Sequence, residues 1–220
     1  IVYTIYAILF LVSLNGVRQM KVSGSLIGEM PKSASFFKDI LFYEKEFNGV
    51  MPLEIVVDTK RKQGVTRSIP NLTKIDSLVY YLEGRPEIGK ALAVTEGLKF
   101  ARQAYYDNDS NMYAVPNEFD LAFLAPYLRM KGDSSNKNNN FVKLVANFMD
   151  STQQKARISV NMADVGSDSL PKILAAVQQK AEELFNSDSI EYAALLNSGS
   201  ISAADIDSSK LERSANIQLT

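Results

Sequence analysis

Residues 46–65, EFNGVMPLEIVVDTKRKQGV, join a helix end, a sharp stop and a buried strand, and the rest of the chain is placed relative to them. Phe36, Ile40, Tyr43 and Phe47 recur at the four- and three-residue steps of one helical face. Asn48-Gly49 then supplies the left-handed backbone that ends a helix, which predicts a positive φ at Gly49. Pro52 disfavours helix for Met51, and Leu53, Ile55 and Val57 alternate with Glu54, Val56 and Asp58 at the period of a strand. This predicts a first, interior strand over 53–58. The charged run 60–62 and Gly64 bring the chain to the surface directly afterwards.

Composition narrows the chemistry. With 220 residues, 46% of them hydrophobic, the chain is able to bury a core as one domain or two small ones. A net charge of −1 with mixed signs leaves no electrostatic footprint for nucleic acid, and no basic block marks an anionic lipid surface. Cysteine and histidine are both absent, which removes thiol nucleophiles, zinc sites of the usual ligand types and imidazole-based triads. The expectation is a protein that is not an enzyme, without cofactor or metal.

Taken in order, residues 1–14 are uncharged and apolar all round. At 1.5 Å per residue they reach roughly 21 Å against a hydrocarbon core of about 30 Å, so they read as the outer end of a transmembrane helix, over 1–17. A buried core helix is the alternative. Residues 18–52 form a connector and the helix leading away from the membrane, with Ser33 or Ser35 as its cap, Asp39 near its first turn and Lys45 nearer its end. Pro70 and the stripe Leu72, Ile75, Leu78, Val79 and Leu82 predict a helix ending near Gly84. Residues 91–95 are assigned as a second strand and 96–106 as a helix, followed by a polar turn over 107–111. Residues 112–149 look like an insertion, with a dense apolar run over 121–128 and a polar loop over 132–140. Ala156, Ile158, Val160 and Met162 alternate as a third strand. Asp168 or Ser169 caps a helix carrying Pro171, Ile173, Val177, Ala181 and Phe185, and residues 190–196 make a fourth strand.

That order predicts an α+β domain over 53–196, a ferredoxin-like split βαβ sheet with a helical insertion at about 96–149. Residues 197–220 read as a polar tail. Since every core-forming segment then lies between 33 and 196, a piece from Ser23 to Ser198 is expected to fold by itself.

The wording of residues 21–65, KVSGSLIGEMPKSASFFKDILFYEKEFNGVMPLEIVVDTKRKQGV, resembles a periplasmic loop of bacterial exporters of the resistance-nodulation-division (RND) superfamily, in the MMPL-like branch. The resemblance continues through QAYYDNDSNMY at 103–113 and DSTQQKARISVNMADVGSD at 150–168, and so spans residues 1–185. It is similar to the second large loop, after the seventh membrane helix. The resemblance implies the porter domain of a proton-driven inner-membrane transporter, facing the periplasm. Its implied partners are the other domains of the same transporter, the membrane through the N-terminal helix, and hydrophobic or lipid-like cargo, with no nucleic acid. Proton coupling is implied for membrane helices outside this stretch. A membrane-tethered structural or adaptor domain binding another envelope protein is the alternative, and a carboxylate hydrolase is a third.

Close carboxylate pairs occur at Asp107/Asp109, Asp164/Asp168 and Asp205/Asp207, each in a predicted turn or tail where solvation explains it. The cargo or interface candidates are apolar: Phe119, Phe123 and Tyr127, with Tyr105, Tyr106, Met112 and Tyr113. Residues 121–128 are apolar on every side, so one face needs a cover. The domain's own second layer, a partner domain and a cargo path are the three covers available.

Overall fold

The computed structural model describes residues 2–19, 24–25, 27–120, 122, 145–200 and 212–220. The chain is α+β. Helix α1 (Val2–Gln19) and helix α2 (Ser35–Glu46) precede strand β1 (Met51–Asp58), followed by α3 (Ile69–Glu83) and α4 (Val94–Tyr105). A 3₁₀ turn over Ser110–Met112, strand β2 (Lys155–Met162), helix α5 (Leu170–Asn197) and strand β3 (Asn216–Leu219) complete the described elements.

The predicted pivot forms as the residues dictate. Helix α2 stops at Phe47, Asn48 turns left-handed with φ 53°, and Gly49 follows with φ 135°. A Cβ at Gly49 would land on the main-chain carbonyl of Met162, so close approach and backbone conformation both demand glycine. The cap of α2 is a correction: Ala34 occupies that position without a side-chain bond, rather than Ser33 or Ser35.

Strand β1 is the centre of a three-stranded antiparallel sheet of order β2-β1-β3. It pairs with β2 through Leu53↔Val160 and Ile55↔Ile158, and with β3 through Val56↔Gln218 and Val57↔Ile217. Glu54 and Thr220 exchange both main-chain bonds at 2.8 and 2.9 Å, so even-numbered residues of β1 bond towards β3. Pro52 shares that parity but lies beyond the reach of the paired part of β3, so its missing N–H breaks no ladder bond.

Alternation gives the sheet one dry side. Leu53, Ile55 and Val57 of β1 and Ala156, Ile158, Val160 and Met162 of β2 are buried, while Glu54, Asp58, Lys155 and Arg157 face outward. Against the dry side pack Leu72, Ile75, Leu78, Val79 and Leu82 of α3, Val94 and Leu98 of α4, and Ile173, Val177, Ala181 and Phe185 of α5. Helix α3 starts as predicted, with Ser68 accepting from the Asn71 N–H and Pro70 in the first turn, and ends at Gly84.

Three expected elements are corrected. Residues 91–95 are no strand: Leu92 exchanges two bonds with Ser159 as an isolated bridge, and α4 already begins at Val94. Residues 190–196 are the last turns of α5, not a fourth strand. A short apolar run such as IEYAALL carries no periodicity that separates helix from strand, and its Ala, Leu and Glu favour helix. Residues 212–220 are no polar tail, because β3 takes the free edge of β1 and puts Ala215 and Ile217 into the core. The same observation corrects the core limits of 33–196. Asn186 holds this end in place. It breaks the helical backbone of α5 with φ −124° and ψ 23°, and its buried amide exchanges two bonds with the Ala215 main chain, each 3.0 Å. The ferredoxin-like arrangement needs a fourth strand that the described residues do not supply.

Candidate functional site

The described members of the aromatic set begin where α4 ends: Tyr105 is its last residue, and Tyr106, Met112, Tyr113 and Phe119 follow it. Val94, Thr95 and Leu98 bury one side of α4. Phe100, on the opposite side, and Tyr105, the last residue of the helix, are exposed, about 60% each. Tyr105 and Tyr106 meet edge to face at 5.3 Å between ring centroids. Beyond the turn at Asp107 and Asn108, both left-handed, Met112 is half-buried, and Tyr113 and Phe119 are exposed, Phe119 at 85%. Phe123 and Tyr127 lie outside the described residues, as does most of the apolar run 121–128.

Polar ties fix this surface from beneath. Asn117 and Asp120 form a reciprocal cap: the Asp120 N–H donates to Asn117 Oδ1 at 2.9 Å, and the Asn117 N–H donates to Asp120 Oδ2 at 3.0 Å. The Asp120 side chain is buried, paired with Arg102 Nε at 2.6 Å, and accepts from the Tyr106 hydroxyl at 3.1 Å. That hydroxyl bond to the carboxylate, together with burial, raises the Tyr106 pKa above the usual phenol value. Asp120 therefore joins the start of the insertion to α4 and orients one of the exposed rings.

A second cluster joins α3, α4 and Tyr113. The Tyr113 hydroxyl donates to Glu96 Oε2 at 2.7 Å, and Lys99 donates to Glu96 Oε1 at 2.9 Å while pairing with Asp76. Lys90 reaches Glu83 at 2.8 Å and Glu96 at 3.7 Å. Burial opposes ionisation of Glu96, but the Tyr113 hydroxyl and the two ammonium groups outweigh it and hold the carboxyl below its usual range. Burial likewise works against the Lys99 charge, and Asp76 and Glu96 outweigh it, so its pKa is raised. Both Tyr113 and Glu96 are thus committed to a structural network. What this side offers a ligand is ring faces and Phe119.

Among the described residues, two of the carboxylate candidates are engaged in structural bonds. Asp109 caps the 3₁₀ turn by accepting from the Asn111 N–H, Asp164 is bonded to residues 25 and 27, and Asp205 and Asp207 lie outside the described residues. Among the described residues, no group of three or more acidic side chains is placed to hold a metal ion. A concavity of about 110 Å³ lies away from the aromatic set, lined by Gly24, Met51, Asp164 and Leu170 among others, and is too small for an acyl chain.

Two features were hidden or only half visible in the sequence. The spacing Asn117-x-x-Asp120 is a readable capping signal. The ion pair of Asp120 with Arg102 joins separate segments and leaves no local pattern. Among the described residues, no helix is long and apolar enough to cross a membrane. No protein-family model matches the chain, and no curated protein matches it.

Proposed function

We propose that this chain is an extracytoplasmic porter domain of a proton-driven inner-membrane exporter of the RND superfamily, MMPL-like branch, handling hydrophobic or lipid-like cargo. The observation that carries the reading is α1. Val2, Tyr3, Ile5, Tyr6, Leu9, Phe10, Leu11, Val12 and Leu14 are each about half exposed or more, so α1 turns apolar side chains outward all round. Water does not favour such a helix, and lipid does. The α+β body packs its helices over one side of a three-stranded antiparallel sheet, the helix-on-sheet layering that this reading implies. The rings of α4 and Phe119 offer apolar contact without fixed hydrogen bonds, which suits an acyl chain.

Helix α2 favours a second reading, a membrane-tethered adaptor for another envelope protein. It buries none of its residues and exposes Phe36, Leu41, Phe42 and Tyr43, with Phe47 exposed just past its end.

Binding of a fluorescent fatty acid to the chain in lipid nanodiscs separates the two. The porter reading expects saturable binding that Phe119→Asp weakens severalfold while the melting transition stays in place, since Phe119 is 85% exposed. Absence of saturable binding, with retention of the chain in the alkali-washed membrane fraction, favours the adaptor.

A further inference from the structure

The segment of residues 24–46, which ends in α2, is held to the body by polar ties rather than by a core of its own, since α2 has no buried residue. These ties converge on the loop between β2 and α5. Asp164 Oδ2 accepts from the Ser25 hydroxyl at 2.7 Å and from the Ile27 N–H at 2.8 Å, while the Asp164 N–H donates to Glu44 Oε1 at 3.0 Å. Gly24 and Ser167 add a second pair, Gly24 N–H to Ser167 Oγ at 3.0 Å and Ser167 N–H to Gly24 O at 3.1 Å. One residue, Asp164, thus grips both the connector and the helix. At the other end of α2, Asn48 and Gly49 have positive φ angles and join the helix to β1.

We propose that residues 24–46 form an arm that is hinged at Asn48-Gly49 and latched by Asp164. With the latch made, α2 and the β2–α5 loop move as one body, and a displacement at the connector is delivered to β2 and the first turn of α5. With the latch open, the arm swings about the hinge while the sheet and its helices stay folded, because the core side chains of β1, β2, α3 and α5 all lie outside the arm. Asp164 is in this scheme a positioning residue. The proposal concerns the arm alone and stands whether or not the chain carries cargo.

The natural absence of cysteine allows clean spin labelling at Lys38→Cys on α2 and Ser77→Cys on α3, both exposed positions. Electron–electron double resonance on this pair in the whole chain is expected to give one narrow distance distribution. Asp164→Ala removes the side-chain bonds to Ser25 and Ile27 of the connector and leaves the main-chain N–H bond to Glu44; it is expected to broaden the distribution, and to speed amide exchange at Ile27 roughly tenfold or more, the loss of a charge-assisted bond. Asp164→Asn keeps an acceptor oxygen and is expected to restore most of the narrow distribution, which mere loop damage would not allow. The arm-side double variant Ser25→Ala with Glu44→Ala leaves the body untouched and is expected to broaden the distribution as Asp164→Ala does. Unchanged width in both the Asp164→Ala and the double variant overturns the latch, and so does failure of Asp164→Asn to recover it.

Discussion

At the scale of single residues, two positions carry sharp consequences. Gly49 combines φ 135° with a main-chain carbonyl where a Cβ would sit. Gly49→Val is expected to lower the unfolding free energy by about 2 kcal/mol or more, read from urea denaturation, because strain and clash act together. Glu96 has its carboxyl held below the ordinary value of 4.5, so its stabilisation is present above that value and disappears as pH falls through the lowered one. Glu96→Gln is therefore expected to cost about 1 kcal/mol at neutral pH and to flatten the loss of stability below about pH 4.5, measured by denaturation across pH. Gly49 was legible because helix stop and strand start are local patterns. The roles of Asp164 and Asn186 were not, since their partners lie 120 to 139 and 29 positions away. Asp164 had read as one of a solvated acidic pair.

At the scale of elements, β1, β2, α3 and the first part of α5 were legible because each shows one clean period with caps or breakers at its ends, whereas the start of α4 was not, because its buried Val94 and Thr95 sit in a short apolar run that also fits a strand. Residues 190–196 were misread because seven residues are too few to fix a period. Strand β3 was missed because SANIQLT is short and polar, and its pairing depends on the free edge of β1. That edge makes the terminal strand part of the fold, so the piece from Ser23 to Ser198 lacks a core strand. Removing residues 212–220 uncovers the neighbours of Ile217 and leaves the Asn186 amide without its Ala215 partners. The expected loss is about 3–5 kcal/mol, from one buried aliphatic side chain and one orphaned buried amide. A chemical denaturation midpoint that does not move on this truncation would refute the role assigned to β3.

At the scale of the whole molecule, two unlike parts share one chain. The sheet with α3, α4 and α5 buries its apolar residues, whereas α1 presents outward those from Val2 to Tyr6 and from Leu9 to Leu14. The α+β class was readable from alternating periods, but strand number was not, because sheet edges are filled by whichever distant segment fits. The aromatic set was legible in part: Tyr105, Tyr106, Tyr113 and Phe119 are each exposed, and the anchoring of Tyr106 through Asp120 and of Tyr113 through Glu96 was not visible in the sequence. The central claim is that lipid surrounds α1 while water surrounds the body. Single spin labels at Tyr6→Cys and Ser77→Cys, in the chain reconstituted into bilayers, test it through collision with oxygen, which partitions into lipid, and with a nickel chelate, which stays in water. The account predicts oxygen-dominated collision at position 6 and chelate-dominated collision at position 77. Chelate-dominated collision at both positions would contradict it.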